Sequence, residues 1–271
     1  MNIIDSIILG VVQGLTEFLP ISSSGHLVLF QNLLGYKEPE ILFDVALHCG
    51  TLLAVFIYFR SDLKRMITES VSFVIDLAKK QRSIKSFNED PYVSLTSWVI
   101  IGTIPTALIG FIFKSPLESL FGSVTVVGVM LLVTGVILAV TKFVPPGYSS
   151  RKRVGLKTSI IVGIAQGLAI IPGVSRSGTT IATGILCGME RDLAARFSFL
   201  LSIPAILGAV VLQIDSGDFG RMGLEPLILG FISSALVGLL ALKILMTLVR
   251  KGNFFYFAPY CWVAGLIIIF F

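Results

Sequence analysis

One block of sequence occurs twice. Residues 6–26 read SIILGVVQGLTEFLPISSSGH, and residues 159–179 read SIIVGIAQGLAIIPGVSRSGT. Aligned without a gap, the copies agree at Ser6, Ile7, Ile8, Gly10, Gln13, Gly14, Leu15, Ser22, Ser24 and Gly25, ten of twenty-one positions. An internal repeat of this strength constrains the whole fold, because the chain must build one kind of unit twice. Each copy begins apolar and ends in a loop rich in proline, serine and glycine. The polar residues that set the copies apart are Glu17 and His26 in the first and Arg176 in the second. Similar scaffolds with complementary chemistry point to one composite site.

The apolar character fixes the solvent. Hydrophobic residues make up 55% of the chain and charged residues 14%, against about 25% charged in soluble domains. Long apolar runs, in place of the alternation of a barrel, predict an all-α integral membrane protein. The net charge of +5 then reports topology. Its basic residues sit in particular loops without an aromatic or glycine-rich nucleic-acid motif, so no nucleic-acid partner is expected. Cys49, Cys187 and Cys261 lie in apolar segments, and their spacing gives neither a metal signature nor a disulfide framework. The start, MNIIDS, lacks a basic n-region and reads as the first helix of a mature chain.

Taken in order, residues 3–19 and 26–34 flank the first Pro/Ser/Gly loop and are too short to span singly, so they predict a re-entrant helix hairpin. Spans are predicted at 42–59, 92–113 and 123–141, with an amphipathic surface helix at 66–77. A basic linker, 142–157, separates the first repeat (1–141) from the second (158–271). The second repeat has its hairpin at 158–189 and spans at 197–212, 224–249 and 255–271. The basic loops 60–90, 142–157 and 250–253 are expected in the cytoplasm, and 114–122 and 213–223 outside. With each hairpin returning to its own side, three spans separate the two hairpins, so the halves have inverted topology and both termini lie outside. Inverted repeats with broken helices place their sites where those helices meet.

Gln13 and Glu17 share one helix face. An ionisable group inside a membrane is a functional hypothesis by default, and the pair could hold a divalent cation that takes its remaining ligands from phosphate and water. Alternatively, Glu17 only pairs with Arg176 or caps backbone. Ser22, Ser23, Ser24, Gly25 and His26 form a polar turn suited to an anion, with ordinary serine capping as the plainer reading. His26 can donate or accept a proton near neutral pH. The second loop, PGVSRSGTT, surrounds Arg176 with Ser175, Ser177, Gly178, Thr179 and Thr180. That suits a phosphate cradle, since guanidinium grips phosphate bidentately and a helix start favours anions. Asp44 and His48 either orient the site or pair near the interface. Glu190, Arg191, Asp192 and Arg196 read as a solvated helix start.

The stretches QGLTEFLPISSSGHL and PGVSRSGTT, with FDVALHCGT and RFSFLLSIP, resemble the undecaprenyl-diphosphate phosphatases, the bacitracin-resistance proteins of bacteria. The likeness runs in order along essentially the whole chain. It implies an integral membrane phosphatase that converts undecaprenyl diphosphate to the monophosphate and so recycles the lipid carrier of cell-wall synthesis. It also implies a requirement for Mg²⁺ or Ca²⁺, an outward-facing active site in the bacterial plasma membrane, and a homodimer. The functional positions it carries are Gln13 and Glu17, Ser23 and His26, and Ser175, Arg176 and Thr180. The first of these is glutamine where the motif also admits glutamate, which removes one anionic metal ligand.

The two lines together give an expected mechanism. Arg176, Ser175, Ser177 and Thr180, with Ser24, Gly25 and Gly178 of the loops, hold the diphosphate. Glu17 with Gln13 positions the cation. Ser23 is the first choice of nucleophile, with His26 as its base or as acid to the leaving group. Direct attack by His26, or by water activated through Glu17, remain open. From a different class, a transporter or flippase of an anionic lipid or small anion would also show inverted repeats with broken helices.

Overall fold

The computed structural model describes residues 1–36, 41–113, 116, 120, 123–145, 147–214 and 223–270. Among the described residues the chain is helical, with no strand beyond a single bridge between Arg151 and Met189. The first copy of the repeat forms α1 (Ile3–Phe18) and α2 (Ser23–Leu33), followed by α3 (Ile41–Tyr58), α4 (Arg60–Ala78), α5 (Pro91–Ile112) and α6 (Val124–Val140). The second copy forms α7 (Leu156–Leu168) and α8 (Arg176–Leu186), followed by α9 (Arg191–Ile214), α10 (Leu224–Arg250) and α11 (Ala258–Phe270). The expected outer loops 114–122 and 213–223 fall largely outside the described residues.

Both copies break ahead of the serine loop, α1 after Phe18 and α7 after Leu168. A proline follows the first helix (Pro20 and Pro172), and proline cannot continue a helical ladder. A serine then caps the next helix: Ser22 Oγ accepts from the Gly25 N–H at 3.4 Å, and Ser175 Oγ from the Gly178 N–H at 3.1 Å.

Helices Pro91–Ile112, Val124–Phe143, Arg191–Val211 and Leu224–Arg250 are long and apolar enough to cross a membrane. A fifth span exists if α3 is taken with α4, which it meets at a bend of 75°. The expected sixth span, 255–271, is an apolar helical segment Phe254–Phe270, shorter than the four long helices, whose first turn at Phe254–Phe257 is 3-10 and whose remainder is α11. Ile100, Ile104 and Leu108 on α5 and Leu236, Leu240 and Ile244 on α10 stay exposed, as lipid-facing surfaces do. The three cysteines are free.

Each hairpin packs its first helix on a long helix from the other half: α1 on α10, and α7 on α5. Repeated glycines make both contacts close. A Cβ at Gly10 would stand 2.7 Å from the Gly230 carbonyl, and one at Gly14 2.8 Å from the Ser234 carbonyl. In the second copy, Gly163 abuts the Gly102 carbonyl, and a Cβ at Gly167 would stand 2.6 Å from Ile109 Cδ1. Small residues spaced by four let helices approach in this way, where van der Waals packing drives association. The main core lies beneath the breaks. There Phe18 meets Phe199 edge-on at 5.7 Å among Phe59, Ile181, Phe197 and Leu242, which anchors the end of α1 that carries Glu17.

Candidate active site

The repeat places Glu17 where both hairpins can reach it. Glu17 lies in the last turn of α1, with its side chain 6% exposed. Ser23 and Arg176 are the first residues of α2 and α8, each directly after its capping serine. Ser23 Oγ donates to Glu17 Oε2 at 2.6 Å, and Arg176 Nη2 donates to Oε1 at 2.5 Å. Equivalent positions of the two copies therefore occupy the two oxygens of one carboxylate. A buried carboxylate needs that pairing to remain charged. Both readings of Glu17 hold at once: it pairs with Arg176, and it also receives the Ser23 hydroxyl. The Arg176 Nη1 is buried without a partner, so one arm of the fork is not used by the protein.

Gln13 sits one turn before Glu17. Its Nε2 donates to Glu17 Oε2 at 3.1 Å and lies 3.0 Å from His48 Nδ1. His48 Nδ1 is 3.8 Å from Glu17 Oε2, so His48 belongs to the cluster. Asp44 instead accepts from Gln31 Nε2 at 2.8 Å, on the flank of the cluster. The Gln13 Oε1 is buried without a partner.

His26 is turned away from Ser23. Its Nδ1 lies 2.8 Å from the Ser22 carbonyl and its Nε2 2.7 Å from the Tyr260 hydroxyl. Both ring nitrogens are engaged, and the Ser23 hydroxyl donates its hydrogen bond to Glu17 and not to the imidazole. Tyr260 is the residue that the sequence did not reveal. It is one aromatic among many in an apolar helix, 234 positions from its partner.

The remaining loop residues are arranged as follows. Ser23 and Ser24 are partly exposed, while Gly25 is buried, and its N–H is taken by Ser22. In the second loop Ser175 caps Gly178, and Ser177 Oγ lies 3.3 Å from Ser175 Oγ. Thr180 is fully buried, with its hydroxyl on the Arg176 carbonyl at 2.8 Å and on Ser198 at 2.5 Å. The Ser175 and Thr180 hydroxyls bind backbone because they sit within about one turn of a helix start, where free N–H and C=O groups compete for them. Of the second loop, the Arg176 side chain is what reaches the carboxylate. Two of the mixed charges after α8 are paired: Arg196 bridges Asp62, and Arg250 Nε donates to Asp192 at 2.6 Å. These tie α9 to α4 and α10 away from the site.

Among the described residues no group of three or more His, Cys, Asp and Glu side chains is arranged to hold a metal ion. Glu17 and the orphaned Gln13 oxygen nevertheless suit a hard cation that draws most of its shell from a phosphate and water.

Comparison with known proteins agrees with the geometry. The sequence profile of the family described as Bacitracin resistance protein BacA matches residues 6–267. The undecaprenyl-diphosphatase of Desulforapulum autotrophicum is 45% identical over 270 residues, 99% of this chain and 98% of that protein. That of Methanobrevibacter smithii is 46% identical over 270 residues, 99% of this chain and 97% of that protein. That of Desulfatibacillum aliphaticivorans is 44% identical over 271 residues, covering 99% and 98%.

Proposed function

The chain belongs to the bacitracin resistance protein BacA family, and from that premise we propose that it hydrolyses undecaprenyl diphosphate to undecaprenyl phosphate and inorganic phosphate. The observation that carries the reading is the Ser23–Glu17–Arg176 junction, which sets a hydroxyl, a base and a phosphate-binding cation against one another.

Arg176 leaves the carboxylate in part to hold the terminal phosphate, using the arm that the protein does not satisfy. Glu17 takes the proton of Ser23, whose oxygen attacks the terminal phosphorus and displaces undecaprenyl phosphate. Water then releases inorganic phosphate from the serine: Glu17 returns its proton to the serine oxygen, and His26 takes the proton of the water at Nε2 in place of its bond with Tyr260. Ser175, Ser177, Gly178 and Thr180 hold the arginine loop in shape, and Ser24 and Gly25 do the same for the serine loop. Gln13 and Glu17 would hold the divalent cation, Mg²⁺ or Ca²⁺. When bound, it would offset charge on the diphosphate oxygens.

The same reading includes inverted topology. The sequence repeat and the reciprocal packing of α1 on α10 and α7 on α5 support two halves of opposite orientation. The basic loops then put the first hairpin, and the site, on the outer side.

The test is phosphate release from undecaprenyl diphosphate by the detergent-purified protein, with and without Mg²⁺ or Ca²⁺, beside Arg176→Ala and His26→Ala. Metal-dependent release lost in both variants is the expected result. Well-folded wild type that releases none would overturn the reading.

A further inference from the structure

The Tyr260 hydroxyl reaches His26 from α11, and the geometry of that contact decides what the imidazole can do. A carbonyl oxygen can only accept, so the 2.8 Å contact of His26 Nδ1 with the Ser22 carbonyl puts the ring proton on Nδ1. In the neutral ring Nε2 is then a lone pair, and the Tyr260 hydroxyl at 2.7 Å must donate to it. The rings also stack, with centroids 5.8 Å apart and planes 15° from parallel. Tyr260 is itself fixed. Its neighbour Cys261 is fully buried, with Sγ 3.5 Å from the Pro20 carbonyl in the break of the first hairpin. Gly265, further along α11, lets that helix close on the Gly128 carbonyl of α6. Tyr260 remains 47% exposed while His26 is 6% exposed, so the phenol lies on the surface side of the imidazole.

We infer that Tyr260 is a positioning residue for His26: its hydroxyl, by donating to Nε2, locks the Nδ1–H tautomer and fixes the orientation of the ring. This rests on the phosphatase reading for its consequence, but not for its geometry. Without the hydroxyl, Nε2 loses its partner and the ring is free to exchange tautomers or to turn. The acid–base step would then start from a mixture of ring states. General acid–base groups contribute about 10²–10⁴-fold, and losing the orientation of one while keeping the group should forfeit part of that, roughly 10- to 100-fold.

The experiment uses Tyr260→Phe, which keeps the ring and its stack. The chain has two histidines, so ¹⁵N-histidine labelling of the full-length protein in detergent, with His48→Gln to assign the signals, reads the His26 tautomer directly. The expected wild-type spectrum shows protonated Nδ1 and an unprotonated Nε2. In Tyr260→Phe the Nε2–H form gains population, and kcat falls roughly 10- to 100-fold with KM nearly unchanged. An Nε2–H tautomer in the wild type overturns the assignment without reference to any variant, even if Tyr260→Phe does not fold. An unchanged tautomer and unchanged kcat in a folded Tyr260→Phe protein overturn it as well. Wild type that releases no phosphate, yet shows the tautomer shift on substitution, sinks the phosphatase reading and keeps the Tyr260–His26 pairing.

Discussion

The two hairpins share a backbone plan and differ in chemistry at a few matched positions. Gly10 and Gly14 press α1 on α10, and their counterparts Gly163 and Gly167 press α7 on α5. Ser22 and Ser175 cap the second helix of each copy in the same way. At the next position the copies part: Ser23 is a hydroxyl and Arg176 a cation, and both end on Glu17. Glu17 corresponds to Ile170, and His26 to Thr179. Gln13 faces Glu17 and His48, whereas Gln166 donates to Thr106 and to the Leu201 carbonyl inside the packing. Packing residues thus stayed alike while site residues diverged, and neither hairpin alone makes a site. The first has the base and the hydroxyl but no cation. The second has the cation but no base.

That division can be broken most severely at the position where the copies first differ. Ser23→Ala removes the proposed nucleophile and should lower kcat by about 10⁴-fold or more, read as phosphate release from undecaprenyl diphosphate. A Ser23→Ala protein that kept its rate and its metal dependence would move the attack to water activated by Glu17. Arg176→Ala should cost about 10³-fold, the scale of losing a charge-stabilising donor. It also leaves Glu17 buried and unpaired, a change that costs roughly 3–5 kcal/mol where one partner of a buried pair is removed. The double variant Glu17→Gln/Arg176→Ala should therefore melt above Arg176→Ala in detergent while remaining inactive. A double variant no more stable than the single one would show that the pair is not what charges the interior.

Much of this was legible because it is local. The repeat, the proline breaks and the serine caps depend on neighbours a few residues apart, so the existence of each break followed from sequence, while the second helices begin at Ser23 and Arg176, three residues before the expected starts at His26 and Thr179. The meeting of Glu17 with Arg176 was foreseeable from complementarity, since two lone charges in apolar surroundings need each other. The inward turn of Thr180 and Ser177 was not foreseeable, because a serine that caps a helix and one that binds phosphate look alike in sequence. Tyr260 was hidden for a related reason: an aromatic in an apolar helix carries no mark of its partner.

The matched glycines test whether the packing plan is equal in both copies. A Cβ at Gly14 would meet the Gly238 N–H nitrogen and the Ser234 carbonyl at 2.8 Å, backbone atoms that cannot turn aside. At Gly167 the near atoms all belong to the Ile109 side chain, Cδ1 at 2.6 Å and Cβ at 2.9 Å, with no backbone carbonyl or N–H among them. Gly14→Ala should destabilise by about 1–3 kcal/mol, the usual cost of overpacking. By displacing the helix that carries Glu17, it should also lower kcat by about 10²-fold. Gly167→Ala should lose less of both. Equal losses, measured by melting and by turnover, would mean that α1 and α7 position the site to the same degree.

The smallest effects are expected at the matched glutamines, and they are the sharpest discriminator between a packing role and a site role. Gln13 spends its amide N–H on Glu17 and leaves its oxygen buried and free. Gln13→Ala should therefore lower turnover by about 10-fold, one lost polar interaction in the transition state, and raise the Mg²⁺ concentration needed for half-maximal rate. Its melting temperature should hardly move, because Glu17 keeps Ser23 and Arg176. Gln166 also has a free oxygen, but its N–H contacts tie α7 to α5 and α9 at 3.3 Å each. Gln166→Ala should lower stability by about 1–2 kcal/mol and leave both kcat and the metal requirement in place. The reverse pattern would put the cation near the second hairpin, and the asymmetry between the copies would then have to be read the other way round.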